Sequence, residues 1–339
     1  MSFFKRPAVR VGFHLVFTAL GVLAVVLLVR HVGAKRLAET IGDMAPFIAV
    51  AFALEGLRIC SDTLRMRLLY KTSGHVIRYF TLLRVQLAAY PINLLLPAGG
   101  AASEAYKVAV FKDVVGAGAA TAVATVTSAL VLLAGAIISI PCIIAAAYVW
   151  GMHGFTIAVV VQAIVALLVG GAMLGGARYR KLGDFIARLV RRVSKRGAAA
   201  IQKAQDIIVS SPSVPLPALG AAVLARAIQA LQLAILAFGA GAAIGIVPGL
   251  LAFSVQLVGG AAGDLMPAQI GATDGAFALA AEPLGIDLPH ALSIAIAMHV
   301  VQLSWALIGI VGRALSRKDD AMQPVSPASV PLIRRDAVE

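Results

Sequence analysis

Charge is scarce in this chain of 339 residues. Only 13% are Asp, Glu, Lys or Arg, about half the share found in soluble domains. With 60% hydrophobic residues and a mean hydropathy of +0.92, a soluble fold is excluded. Acidic residues are the scarcer sign, 16 against 29 basic ones, for a net charge of +13. In a soluble chain that excess would suggest nucleic acid. Here the basic residues cluster in loops instead of interleaving with aromatics, so no nucleic-acid partner is expected. The charge reads as cytoplasmic loops facing anionic lipid. The two cysteines, Cys60 and Cys142, both lie in apolar segments and exclude a disulfide framework and a Cys/His zinc site. Histidines are few and scattered, and the hydroxyls lack an obvious His partner, so no metal, no cofactor and no enzyme activity are expected. Aromatics make up 6%. The hydropathy rests on Ala, Leu, Val and Gly, as in lipid-embedded helices packed through small residues.

Long apolar runs are what the chain has in plenty. Val11–Val29, Val114–Val149, Phe155–Leu174, Leu216–Ile244 and Leu288–Val311 are each long enough to span a bilayer, which takes about 20 residues. The first follows Lys5, Arg6 and Arg10 but leads into Lys35-Arg36 and not into a small-residue cleavage site. It reads as a retained helix, not a signal peptide. Loop charge sets the topology. Lys5, Arg6 and Arg10 place the N-terminus inside, and a helix over 11–30 goes out. A second, over 45–64, returns to Arg65, Arg67, Lys71 and Arg78. The loop 178–203 carries nine basic residues against Asp184 and is cytoplasmic by the positive-inside rule. Within it, Phe185, Ile186, Leu189, Val190 and Val193 recur at the spacing of an amphipathic surface helix. Helices are predicted over 116–149, 155–177, 216–242 and 289–312. Arg313, Arg317 and Lys318 keep the C-terminus inside, and 319–339 reads as a disordered cytoplasmic tail.

Two segments remain, and they carry a repeated motif. Gln86-Leu87 and Pro97-Ala98-Gly99-Gly100-Ala101-Ala102-Ser103-Glu104 recur 170 positions later as Gln256-Leu257 and Pro267-Ala268-Gln269-Ile270-Gly271-Ala272-Thr273-Asp274. Each copy is an apolar run, a break at Pro97 or Pro267, and a second run opening with a hydroxyl and a carboxylate. The arms around Pro97 are short for full spans, so 80–113 reads as a re-entrant hairpin from the cytoplasm. The segment 248–286, free of Lys and Arg, reads as a second from outside. Full crossing by both arms is the alternative. The expected fold is therefore an all-α polytopic membrane protein, with about six full transmembrane helices and two re-entrant helical hairpins in inverted repeats. One membrane domain covers 1–318, with repeat one at 1–150, repeat two at 151–318 and the basic cytoplasmic loop at 178–210.

A charge in hydrocarbon costs at least about 2.5–3.5 kcal/mol, so buried ones are site candidates. These are Glu55, Arg58 and Asp62 on the second helix, Glu104 and Lys107 after the first break, Arg226 on the helix over 216–242, and Asp264, Asp274 and Glu282 around the second break. His299 and Gln302 sit on the last helix. After Gly99, Gly100 and Gly271 a new helix begins, and its first N–H groups attract anions. Ser103 and Thr273 can cap or donate. Two such starts facing each other would cradle a phosphate, with Glu104 and Asp274 close together near the midplane. A carboxylate there can carry a proton, which would permit proton coupling. Plainer readings stand beside these. Glu104 with Lys107, and Glu55 with Arg58, are (i, i+3) pairs that can neutralise themselves. Arg58 and Asp62 can snorkel to an interface. Gln162, Gln229 and Gln232 fit helix-packing hydrogen bonds, and His299 a satisfied polar residue.

At these two motifs the chain resembles the flippase-like membrane region of the lysylphosphatidylglycerol synthase family, and also the hopanoid-associated members that lack the soluble half. The family carries a Pro-Gly-rich break followed by Gly/Ser-Glu and a basic residue, here ending in Ser103-Glu104-Ala105-Tyr106-Lys107. A later Pro-Gly-x-Gly-x-x-Glu motif corresponds to Pro267 through Asp274. Ala98 and Ala268 replace expected glycines, Lys107 stands where Arg is common, and Asp274 stands for Glu. The resemblance implies an integral protein, in a bacterial inner membrane, that moves an amphipathic lipid between leaflets. The lipid would be anionic or phosphate-headed, hopanoid or polyprenyl. It implies membrane lipids and lipid-synthesis enzymes as partners. An intramembrane enzyme acting on a lipid headgroup, an ion-coupled small-solute carrier and a scaffold for a lipid-synthesis complex are the competing expectations.

Overall fold

Helices account for all the regular structure in the computed structural model, which describes residue 30 and residues 33–96, 98–179, 181, 195–210, 215–264 and 266–315. In chain order they are α1 (Ala34–Asp43), α2 (Ala45–Thr72), α3 (Tyr79–Leu95), α4 (Gly99–Val115), α5 (Ala117–Trp150), α6 (Gly154–Arg178), α7 (Lys195–Ser210), α8 (Leu216–Gly239), α9 (Ile246–Gly263), α10 (Ala272–Leu279) and α11 (Leu288–Leu315), with a 3₁₀ turn at Pro267–Gln269. The helix expected over 11–30, the surface helix at 185–193, Pro97 and the tail 319–339 lie outside the described residues.

Five of these helices are long and apolar enough to cross a membrane: α5, α6, α8, α9 and α11. A sixth span arises if α1 and α2, bent by 66° at Met44, count as one. α1 was not expected. Leu37, Thr40 and Met44 recur at helical spacing and are buried, which makes a short amphipathic helix packed on α11. α2 also runs beyond its predicted end at residue 64. Arg65 reads as loop charge in sequence, but its guanidinium is buried and bonded to Asp62 Oδ1 at 2.8 Å, so the helix continues to Thr72. α7 covers part of the basic loop and sets Ala204 and Ile208 against Ala122 on α5.

The packing exchanges the two halves. α2 lies along α8, the helix one repeat later. α3 packs on α11, and its equivalent α9 packs on α5; α2 meets α11 as α8 meets α5. Each hairpin is thus clasped by the last helix of the other repeat. One crossing explains a glycine. Pro91 has no N–H to give the carbonyl of Leu87, and Gly309 of α11 approaches that freed oxygen so closely that a Cβ would sit 2.2 Å from it.

The breaks meet in the middle. Ala98 N–H donates to the carbonyl of Asp264 at 3.2 Å, joining the first break to the second. Ala98 (φ 51°) and Ala268 (φ 53°) both adopt the left-handed conformation, which an L side chain disfavours. They occupy matching positions of the duplicated motif.

Candidate functional site

A cavity of about 640 Å³ opens where the two breaks meet. Its wall is built from both repeats: α2, α3, α4 and α5 from the first, and Met173 of α6, α8, Gln256 of α9, the 3₁₀ turn and Gln302 of α11 from the second. Seven charged side chains border it, the cations Arg58, Arg65, Lys107 and Arg226 and the carboxylates Asp62, Glu104 and Asp264.

α2 supplies a ladder of alternating sign, because Glu55, Arg58, Asp62 and Arg65 recur at three- and four-residue steps along one helix face. Arg58 bonds Glu55 through Nε at 2.9 Å and Nη2 at 2.6 Å, and Asp62 through Nη1 at 3.0 Å. Glu55 also accepts from the Tyr90 hydroxyl, whose ring lies under the Arg58 guanidinium at 5.9 Å. The (i, i+3) reading of Glu55 and Arg58 holds, and the snorkelling of Arg58 and Asp62 gives way to a buried network. Such a network is tolerable in an apolar bundle because every carboxylate faces a guanidinium.

Lys107 Nζ bonds Glu104 Oε1 at 2.7 Å, both largely buried. Ser103 Oγ donates to the Gly100 carbonyl at 3.1 Å, so its hydroxyl serves the helix start. Gly99 and Gly100 border the cavity, and Gly99 touches the Asn93 carbonyl so closely that a Cβ would lie 1.9 Å from it.

Arg226 differs from the other three cations. Its one side-chain hydrogen bond among the described residues is Nη1 to Gln229 Oε1 at 2.9 Å, and it forms no salt bridge there. The cavity wall also carries unsatisfied groups: Arg65 Nε, Thr127 Oγ1 and Gln256 Oε1 are buried and have no hydrogen-bond partner among the described residues. All three residues border the cavity. Buried polar atoms left this way cost about 1–3 kcal/mol each, so the wall is ready for a polar guest. A guanidinium and the start of α4 on the wall of one cavity suit an anion.

The second copy of the motif takes a different course. Gly271, Thr273 and Asp274 do not border the cavity. Asp274, 1% exposed, accepts at Oδ2 from the Gly271 amide at 2.8 Å and contacts His299 Nε2 at 3.1 Å. The two acidic side chains therefore take separate partners, Glu104 on the cavity wall and Asp274 behind it against α11. Asp264 accepts at Oδ1 from Gln269 Nε2 at 3.3 Å, and Glu282 is exposed. Gln232 donates to the Ala51 carbonyl across the α2–α8 contact, and Gln162 accepts from Ser139. Sequence reasoning passed over Asn93, Thr127 and Gln256 as wall residues. Gln256 had a signal, since Gln86 and Gln256 open the two copies of the motif and both line the cavity.

Among the described residues no group of three or more His, Cys, Asp or Glu side chains is arranged to hold a metal ion. No curated protein and no solved structure matches the chain. The family model described as the lysylphosphatidylglycerol synthase TM region matches residues 13–312, which takes in both hairpins and the whole cavity wall. The chain therefore belongs to the lysylphosphatidylglycerol synthase transmembrane-region family, as an integral membrane protein related to lipid handling.

Proposed function

We propose that this protein transports a phosphate-headed amphipathic lipid between the leaflets of a bacterial inner membrane, with both termini cytoplasmic. The headgroup occupies the cavity between the breaks while the acyl chains stay in lipid, and the two clasped hairpins rock against each other to open it alternately. Membrane lipids are its ligands, and lipid-synthesis enzymes its partners. It acts by binding and not by bond chemistry.

The observation that carries this reading is Arg226: a half-buried guanidinium on a polar cavity wall, in no salt bridge among the described residues, with the start of α4 bordering the same cavity. Other cations of the wall are already matched by Glu55, Asp62 and Glu104. A volume of about 640 Å³ falls in the range of small-molecule sites, about 300–1,000 Å³, and accommodates a headgroup with some of its water.

Transbilayer movement of labelled phospholipid in proteoliposomes tests it. Arg226→Gln is expected to slow movement by about tenfold or more, the weight of one charge-assisted hydrogen bond. Glu104→Gln is expected to slow it as well. Wild-type rates in both variants would remove the cavity from the transport route. Uptake of a soluble anion without lipid movement would reassign the protein as a solute carrier.

A further inference from the structure

Two carboxylates that the repeat makes equivalent have different counterions. Glu104 is held by Lys107 from its own helix. The matching position in the second repeat is Phe277, fully buried, so Asp274 has no cation on α10. Its partner is His299, 25 residues away on α11. The first-repeat equivalent of His299 is Ala129, so the arrangement occurs once. Imidazole is the side chain whose ordinary titration falls between about pH 5 and 8.

The surroundings isolate this pair. α10 packs on α9 and α11. α9 has no ionisable side chain, and the others on α11 are His290 and Arg313, close to its ends. Of the helices that pack along α11, α2 bears the mutually bonded ladder from Glu55 to Arg65 with Arg67 and Lys71 beyond it, α8 bears Arg226, α3 Arg84, and α1 Lys35, Arg36, Glu39 and Asp43. Asp274 Oδ1, Thr273 Oγ1 and His299 Nδ1 are buried without a hydrogen-bond partner among the described residues. His299 keeps 12% of its side chain exposed and stands one helical turn from Gln302, which borders the cavity.

We propose that Asp274 and His299 form a proton-binding site that controls the second hairpin. With Asp274 ionised, His299 Nε2–H donates to Oδ2 and Nδ1 has a free lone pair. Uptake of one proton at Nδ1 makes the imidazolium and takes the pair from net −1 to neutral. The resulting ion pair draws α10 onto α11. Release of the proton restores the net charge, weakens the bridge between the helices and loosens the hairpin. The proton site stands on this geometry alone; its coupling to lipid movement rests on the transport reading above.

Hydrogen–deuterium exchange of the α10 amides in the purified full chain, corrected for intrinsic rates, tests the site directly. In the wild type, exchange is expected to be about tenfold faster at about pH 8 than at about pH 6. His299→Gln keeps a donor toward Asp274 but binds no proton, and should abolish the step. His299→Lys, charged at both pH values, should leave α10 protected throughout. No step in the wild type, or an unchanged step in His299→Gln, overturns the proposal. In proteoliposomes, lipid movement that responds to a pH difference in the wild type and not in His299→Gln supports coupling; a response shared by both overturns it. An intact exchange step in a protein that moves no lipid at all supports the proton site and strikes down the transport reading.

Discussion

At the scale of single residues, the breaks hold two alanines in a conformation suited to glycine. Ala98 and Ala268 sit at φ 51° and 53°. Their left-handed geometry costs about 1–2 kcal/mol each, part of which glycine returns as backbone entropy. Ala98→Gly and Ala268→Gly are each expected to raise stability by up to about 1 kcal/mol, seen as a higher unfolding temperature in detergent. Lys107 makes the opposite case. Glu104→Gln leaves a buried ammonium without its carboxylate, a loss of about 3–5 kcal/mol, whereas Glu104→Gln with Lys107→Met should recover most of it. The same unfolding measurement decides; equal loss in the single and double variants would show that the pair is not the reason. These pairs were legible in sequence because Glu104 with Lys107 and Glu55 with Arg58 are neighbours on one helix face. Asp274 with His299 was not, because the partners belong to different helices and only packing brings them together.

At the scale of elements, helix limits followed closely from apolar runs and breaks: 116–149 became Ala117–Trp150, 155–177 became Gly154–Arg178, and 289–312 became Leu288–Leu315. The misreading of α2 has a physical cause. Arg65 counted as loop charge, yet an (i, i+3) carboxylate lets it remain inside the bundle. The entering arm of the second hairpin also exceeds expectation, since α9 has 18 residues and spans about 27 Å. Its return arm, α10, has only 8, about 12 Å. Where α3 crosses α11, Gly309→Ala puts a Cβ 2.2 Å from the Leu87 carbonyl oxygen. It should cost about 1–3 kcal/mol by forcing the helices apart. Gly312→Ala, whose added Cβ would meet no atom within 4 Å, should be neutral, and thermal unfolding of the two variants side by side tests the contact.

At the scale of the whole molecule, the duplication was visible in the motif, but the clasp of each hairpin by the other repeat's last helix was not, because nothing in a linear motif states which copies touch. Under the transport function proposed above, the hydrogen bond from Ala98 to Asp264 has to break whenever the two breaks part. With Cys60 and Cys142 replaced, cysteines at 98 and 264 joined by a short thiol cross-linker are expected to stop lipid movement, and cleaving the linker to restore it. Unimpeded transport in the cross-linked protein would mean that the junction does not part.

The alternating ladder on α2 also bears on how the protein is made. α2 qualifies as a span only together with α1, so the insertion machinery meets Glu55, Arg58, Asp62 and Arg65 on a nascent segment of weak lipid affinity. The helix that seals this segment, α8, accepts the Ser61 hydroxyl at the Ala221 carbonyl and donates from Gln232 to the Ala51 carbonyl, and it leaves the ribosome much later. Stable integration of α2 must therefore wait for a distant stretch of the same message. A chain stopped before Leu216 should leave α2 open to extraction or protease, and one extended through Gly239 should bury it.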